Sequence, residues 1–293
     1  MNKKKMSKEE SWYHIIVCPL FLFVIFICAY PFYYLVICSF SDGRQVDLGN
    51  VILFPKGLTV QNYIHVLRVN NLLRSLGITL VRVVIGVVLR LFLTSYMAYF
   101  FTKQNMWGRK FWYRMVAITM YFSAGLIPSY LNIRMLGLNN SFWVYVIPGA
   151  LSVYDMILVK TNIEALPPDL EESAFLDGAG YMTRFFRIVL PLSKPILATI
   201  ALFAVVGHWN DYFTTKLYIT NTKLYTLQFL LYEMLNQVRA LLSMQGGEFD
   251  YGEITSMGLQ MTFTVVVTLP VMLVYPFVQK YYVKGIMVGA VKG

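Results

Sequence analysis

The chain has 293 residues, with 25 Lys or Arg against 15 Asp or Glu, a formal net charge of +10. It is 57% hydrophobic, with a mean hydropathy of +0.57, more apolar surface than a soluble core can hide, so a soluble domain is excluded and a bilayer is expected. The basic excess flanks apolar runs instead of forming a compact basic domain, which argues against nucleic acid as its partner.

Apolar runs lie at about residues 13–40, 75–101, 111–132, 142–163, 195–215 and 257–282, and each supplies the roughly 20 helical residues that a span needs. They predict an all-α polytopic membrane protein of six transmembrane helices. Segments assigned to the inside carry 15 Lys and Arg against 8 outside, which puts both termini in the cytoplasm by the positive-inside rule. A cytoplasmic N-terminus (1–12), a single membrane domain (13–283) and a cytoplasmic tail (284–293) are therefore expected.

The first run follows MNKKKMSKEE and is too long for a secretory leader, so it is expected to be a lasting anchor. Cys18, Cys28 and Cys38 recur within it at ten-residue intervals, about 80° apart in succession around a helix. Without a CxxC pair or flanking histidines they are packing or lipid-facing residues, and no metal site is expected anywhere in the chain.

The second run carries Arg82 and Arg90, roughly 10 and 22 Å below its outer end at Ser75 by helical rise. The fourth carries Asp155, about 20 Å below Ser141 by the same rise, at the depth of Arg90. An unpaired charge at that depth is costly, so Arg90 and Asp155 are expected either to pair with each other or to line a substrate pathway. A guanidinium on such a pathway would suit a carboxylate-bearing oligosaccharide through bidentate contact, with Arg82 the stronger candidate.

Between the fourth and fifth runs lies LPPDLEESAFLDGAGYMTRFFRIVLP, a polar segment spanning residues 166–191. Pro167 and Pro168 suit a helix start, Asp169, Glu171 and Glu172 favour its positive end, and Gly178 suits a left-handed C-terminal turn. A second short helix up to Pro191 completes a helical hairpin. Ser173, Ala174, Gly178 and Ala179 let another surface approach the backbone closely, and Phe175, Phe185 and Phe186 offer apolar anchors.

The fifth run holds His208, Trp209, Asn210, Asp211 and Tyr212 toward its outer end. Aromatic and polar groups there suit sugar rings and hydroxyls, although an interfacial aromatic belt would look similar. The following loop, residues 216–256, includes LYTLQFLLYEMLNQVRALL, an amphipathic piece able to lie along the membrane surface.

Glu172, Ser173, Ala174, Gly178, Ile188, Leu190 and Pro191 stand at the spacing of the EAA loop of ATP-binding-cassette (ABC) importer permeases. The chain resembles that family, departing only at Ser173, where Ala is usual. PKGLTVQNY from Pro55, then Pro128, Tyr130, Gly137, Leu138, Asn140 and Pro148, then Trp209–Asn210–Asp211, and lastly KGIMVGAVKG are similar to the maltose-type, carbohydrate-uptake branch, and specifically to its LplC-like subgroup. The similarity runs from about residue 55 to the last residue.

That resemblance implies the type I ABC importer permease fold, with Glu171, Glu172, Ser173, Ala174, Asp177, Gly178, Ala179, Ile188, Leu190 and Pro191 in a coupling hairpin (164–191) seated on an ATPase. It implies a second, non-identical permease, two ATPase subunits that bind ATP and Mg, an extracytoplasmic solute-binding protein, and an oligosaccharide substrate, with the two arginines favouring a uronate-containing one. It further implies that the tail, with Lys284, Gly285 and Lys292, reaches the ATPase interface. The chain itself has no Gly followed by Lys, hence no phosphate-cradling loop, and no HExxH or GxSxG, so enzymatic activity of its own is not expected. The rival from another class is an ion-coupled secondary transporter or channel, disfavoured because only Asp155 lies well inside a span.

Overall fold

The computed structural model describes residues 8–245, 255 and 257–273, and all regular structure among them is helical. The chain divides into two units, Met1–Val69 with Met234–Thr268, and Asn70–Glu233 with Leu269–Gly293.

The first unit opens with helix α1, Lys8–Ser39. From Ile15 onward it is long and apolar enough to cross a membrane, and that stretch is not buried within the protein. A helix apolar on every side and exposed on every side belongs in lipid or against another subunit. Its last turn is different. Ile37 and Cys38 pack with Val51 and with Val46 of the short helix α2, Gly43–Asp47, whose N-terminus Asp42 caps by accepting from Arg44 N at 2.8 Å. Buried Asn62, on α3 (Gln61–Leu67), donates to the Ser41 carbonyl at 3.1 Å and pins the loop beneath.

The second unit is organised around α4, Leu72–Thr102, which also has the length and hydropathy of a span. The expected third and fourth spans are not continuous helices. Residues 111–132 split into α5, Arg109–Thr119, and α6, Leu126–Met135, separated by a turn in which Gly125 has φ +84°. Residues 142–163 split into a single 3-10 turn, Phe142–Tyr145, and α7, Val153–Glu164, with Pro148 and Gly149 between them. Hydropathy counts apolar side chains and is blind to these breaks; a glycine in the left-handed region and prolines lacking an amide hydrogen set the ends.

Beyond α7 come α8 (Asp169–Leu176), α9 (Tyr181–Arg184), a π-helical segment Phe185–Val189, and α10 (Leu190–Leu192). The stretch Tyr181–Leu192 then meets α11, Lys194–Asn210, at an 80° bend, the geometry of a broken span or a re-entrant loop. Among the described residues two helices have the length and composition of a span, a third if the bent pair is one, so the expected count of six is not confirmed. Ala98, Tyr99 and Phe101 of α4 pack with Met156, Val159 and Ile163 of α7, Phe185 and Val189 of the π segment, and Ile200 of α11. This cluster joins the polar hairpin to the spans.

After α12, Phe213–Tyr218, the chain enters α13, Leu227–Gln245. This is the amphipathic piece able to lie along the membrane surface, and its Leu227, Phe229 and Leu231 are buried in protein instead. Leu227 N donates to Thr79 Oγ1 of α4 at 2.9 Å, which fixes the start of the helix against the unit's own core. The last helix among the described residues, α14, covers Met257–Leu273. In the first unit its Thr262 hydroxyl lies 3.4 Å from the Ser39 carbonyl.

Candidate functional site

The hairpin folds as its sequence dictates. Asp169, Glu171 and Glu172 occupy the first turn of α8, where exposed amides favour negative charge. At the other end Gly178 has φ +80°, its amide donates to Phe175 O at 3.0 Å, and Ala179 N donates to Ala174 O at 2.9 Å. That pair of bonds is a Schellman turn, which a glycine in the left-handed region completes without strain. Glu172, Ser173, Phe175, Leu176, Asp177 and Gly178 are exposed, and Ala174 and Ala179 are half-buried. Phe175 and Leu176 are 61% and 80% exposed, so the turn presents unsatisfied apolar surface. Ile188 and Leu190 are half-buried in and after the π segment, and Pro191 is exposed just before the bend.

Glu171 behaves differently from its neighbour Glu172. Its Oε1 accepts from Tyr99 Oη at 2.7 Å, from Arg184 NH1 at 3.3 Å, and from Lys103 Nζ. Lys103 Nζ also sits 3.8 Å over the Tyr99 ring, and the Arg184 guanidinium packs over the rings of Tyr181 and Phe175 at 4.5 and 5.2 Å. Burial works against ionisation of Glu171, but the hydrogen bonds from Lys103 and Tyr99 and the charges of Lys103 and Arg184 outweigh it and hold the carboxyl below its usual range. Burial likewise pushes the Lys103 ammonium down, while its bond to Glu171 opposes that. Tyr99, Lys103 and Arg184 were not among the residues singled out from sequence. The one available signal was that Lys103 is the first cation after the apolar run of α4.

Within the spans the charged candidates come together in pairs. Arg90 Nε donates to Asp155 Oδ2 at 2.8 Å, joining α4 to α7 at the shared depth. Arg82 is 2% exposed. It donates to the Asp211 carbonyl at 3.0 Å and pairs with the Asp211 carboxylate, and its guanidinium lies 4.6 Å over the Tyr145 ring. A guanidinium so enclosed meets Asp211 in place of an open pathway. Asp211 also accepts from Thr214 N at 3.0 Å, so one carboxylate stops α11, starts α12 and holds α4. His208 is buried against Gly86, and Trp209 is buried beside it, while Asn210 is exposed and Tyr212 stacks on Tyr232 with ring centroids 4.6 Å apart. Lys284, Gly285 and Lys292 lie outside the described residues.

Residues 91–288 match the family described as binding-protein-dependent transport system inner membrane component. Over 263 residues, 90% of this chain and 89% of the relative, the sequence is 37% identical to the protein LplC of Bacillus subtilis (strain 168). It is 35% identical over 288 residues to the polygalacturonan/rhamnogalacturonan transport system permease protein YtcP of the same strain, covering 97% of this chain and all of that one. Among solved structures, a chain of a bacterial ABC transporter involved in the import of the acidic polysaccharide alginate superposes with a TM-score of 0.85 at 29% identity, covering 96% of this chain and 100% of that one.

Proposed function

We propose, from the premise that this chain belongs to the family of binding-protein-dependent transport system inner membrane components, that it forms one half of the path by which an acidic oligosaccharide enters the cell. Membership makes it a permease subunit of a carbohydrate ABC importer, an inner-membrane component that works with ATPase subunits and a solute-binding protein. The finer reading is that its partners are a second, non-identical permease, two ATPase subunits that alone bind ATP and Mg, and an external binding protein, with both of its own termini in the cytoplasm.

The observation that carries the mechanical part is the hairpin itself, whose exposed Phe175 and Leu176 crown a turn stiffened by the Gly178 Schellman bonds. An apolar tip on a rigid, polar base suits insertion into a cleft of another protein. Closure of the ATPase pair would push the tip, and the packing of Phe185 and Val189 against α4, α7 and Ile200 of α11 would pass that displacement to the spans. Substrate shifts the cycle only through differential affinity, so the loaded binding protein must favour the state that precedes hydrolysis.

Two relatives support the acidic cargo: one is named for polygalacturonan and rhamnogalacturonan, the other belongs to an importer of alginate. Within this chain Arg90, whose side chain retains 23% exposure beside Asp155, is the in-span arginine with surface to offer a carboxylate. The test is ATP hydrolysis by the complex that co-purifies with this chain, reconstituted with its binding protein and given uronate-bearing or neutral oligosaccharides. Stimulation by the acidic set alone supports the reading. Stimulation by neutral sugars alone overturns the acidic cargo and keeps the importer.

A further inference from the structure

We infer that Glu171, not the motif residue Glu172, fastens the hairpin to the membrane helices, acting with Lys103, Arg184 and Tyr99 as a charged latch between α8 and the inner end of α4. The inference rests on the hairpin being the seat of the ATPase, and it concerns what happens to the force after it arrives there.

Two adjacent carboxylates share one helical turn yet face opposite tasks. Glu172 is exposed, available to a partner. Glu171 is turned inward, and one oxygen gathers three donors: a phenol from within α4, an ammonium from the residue that ends α4, and a guanidinium from α9, thirteen positions further along the hairpin. The last of these makes the latch more than a two-point tie. Arg184 is 8% exposed and lies on the return limb of the hairpin, so both limbs are gathered onto a single oxygen at the end of one span. The aromatic faces of Tyr99, Tyr181 and Phe175 cover the cations and reduce their hydration, which strengthens each contact.

The geometry gives α4 a distinctive position. It is bound by an ion pair to Asp211 near its outer half, to Asp155 at mid-depth and to Glu171 at its inner end. Each partner sits on a different element, after α11, on α7 and on α8. Apolar packing between helices tolerates sliding, whereas a charged group drawn away from its counter-charge in a low-dielectric setting is penalised steeply. A pull on α8 is therefore delivered to α4 first, and α4 carries it to the two elements fastened further along it. Glu171 is in this sense a positioning residue, acting through Lys103 and Arg184 without touching substrate or nucleotide.

The experiment uses the whole importer in proteoliposomes and reads three quantities: ATPase retained on purification, ATP hydrolysis, and substrate taken up per ATP. For Glu171→Gln and for Lys103→Met, ATPase retention and hydrolysis are expected to stay near wild type while uptake per ATP falls about tenfold, the loss expected when one charge-assisted contact is removed. The exchanged pair Glu171→Lys with Lys103→Glu is expected to recover part of that loss. Wild-type uptake per ATP in both single variants would overturn the latch, as would loss of the ATPase from Glu171→Gln, which would make Glu171 part of the docking surface instead. If Glu171→Gln fails to reach the membrane, Tyr99→Phe removes one donor only, and unchanged uptake per ATP in that variant overturns the proposal. Leu176→Asp, at the exposed tip and outside the latch, separates the two readings: it is expected to lose the ATPase, and its retention with normal uptake would overturn the seat and leave the latch without a force to carry.

Discussion

A Cβ atom built on Gly86 falls 2.4 Å from Nε2 of His208 and within 2.9 Å of two further ring atoms, so the imidazole occupies the space that any other residue at position 86 would claim. The ring belongs to α11 and the glycine to α4, and this contact sets how closely the two helices approach. Gly86→Ala is expected to lower stability by about 1–3 kcal/mol, the range for forcing a methyl group into packed space. Adding His208→Ala should recover most of it. Thermal unfolding of the purified complex checks the pair, and an unperturbed Gly86→Ala variant would mean that α4 and α11 can separate freely.

Arg82 and Asp211 make the second bond between these elements. Because Asp211 also accepts from Thr214, its removal leaves a buried guanidinium and a frayed helix start together. Asp211→Ala and Arg82→Gln are each expected to cost about 3–5 kcal/mol, as when one partner of a buried ion pair is lost. The double variant should be less damaging than the two losses added, since no charge is then left alone. If Arg82→Gln instead assembles normally and only raises the half-saturating concentration of an acidic substrate, the arginine meets cargo after all.

The latch at Glu171 has a pH signature. Its carboxyl is held below the ordinary value of 4.5 in the folded protein, so the folded state takes up its proton less readily than the unfolded chain does. The stabilisation is therefore complete well above pH 4.5 and is lost as the pH falls through the folded value. Other carboxylates titrate in the same region, so the useful quantity is the difference between wild type and Glu171→Gln. That difference is expected to be about 1.5–3 kcal/mol near neutrality and to shrink toward zero in acid. A difference independent of pH would show that Glu171 contributes by shape and not by charge.

Legibility in the sequence followed the range of the interactions. Hydropathy found α1 and α4, predominantly apolar helices that continue unbroken past twenty residues, and the helix-end chemistry of the prolines, the three acids and Gly178 outlined the hairpin. Hydropathy could not register the breaks within residues 111–132 and 142–163, where the apolar content is high but Gly125 and Pro148 interrupt the backbone. Equal helical depth brought Arg90 and Asp155 together on paper because both lie on regular helices. The same arithmetic could not reach Asp211, which sits beyond the end of α11 and bends back to Arg82, nor the gathering of Tyr99, Lys103 and Arg184 on Glu171 from α4 and α9. Such sites depend on where helices stop, and stops are written in a few residues only.

Gly178 offers the sharpest separation of backbone from surface effects. No heavy atom lies within 4 Å of a Cβ built there, so within this chain a side chain has room; the obstacle is φ at +80°, which L residues adopt at a cost of about 1–2 kcal/mol. Asn enters the left-handed region more readily than Ala, and a β-branched Val less readily than either. If conformation alone decides, stability and uptake should fall in the order Gly, Asn, Ala, Val. If the turn is pressed against an ATPase, size decides as well, and Asn should then be worse than Ala for ATPase retention while remaining better for the stability of the isolated permease pair. Measuring both quantities across the three variants distinguishes the cases, and Gly178→Asp, which adds a charge to the same crowded surface, should uncouple hydrolysis from uptake or release the ATPase. Wild-type retention and coupled uptake in the Asp variant would rule out contact at this turn.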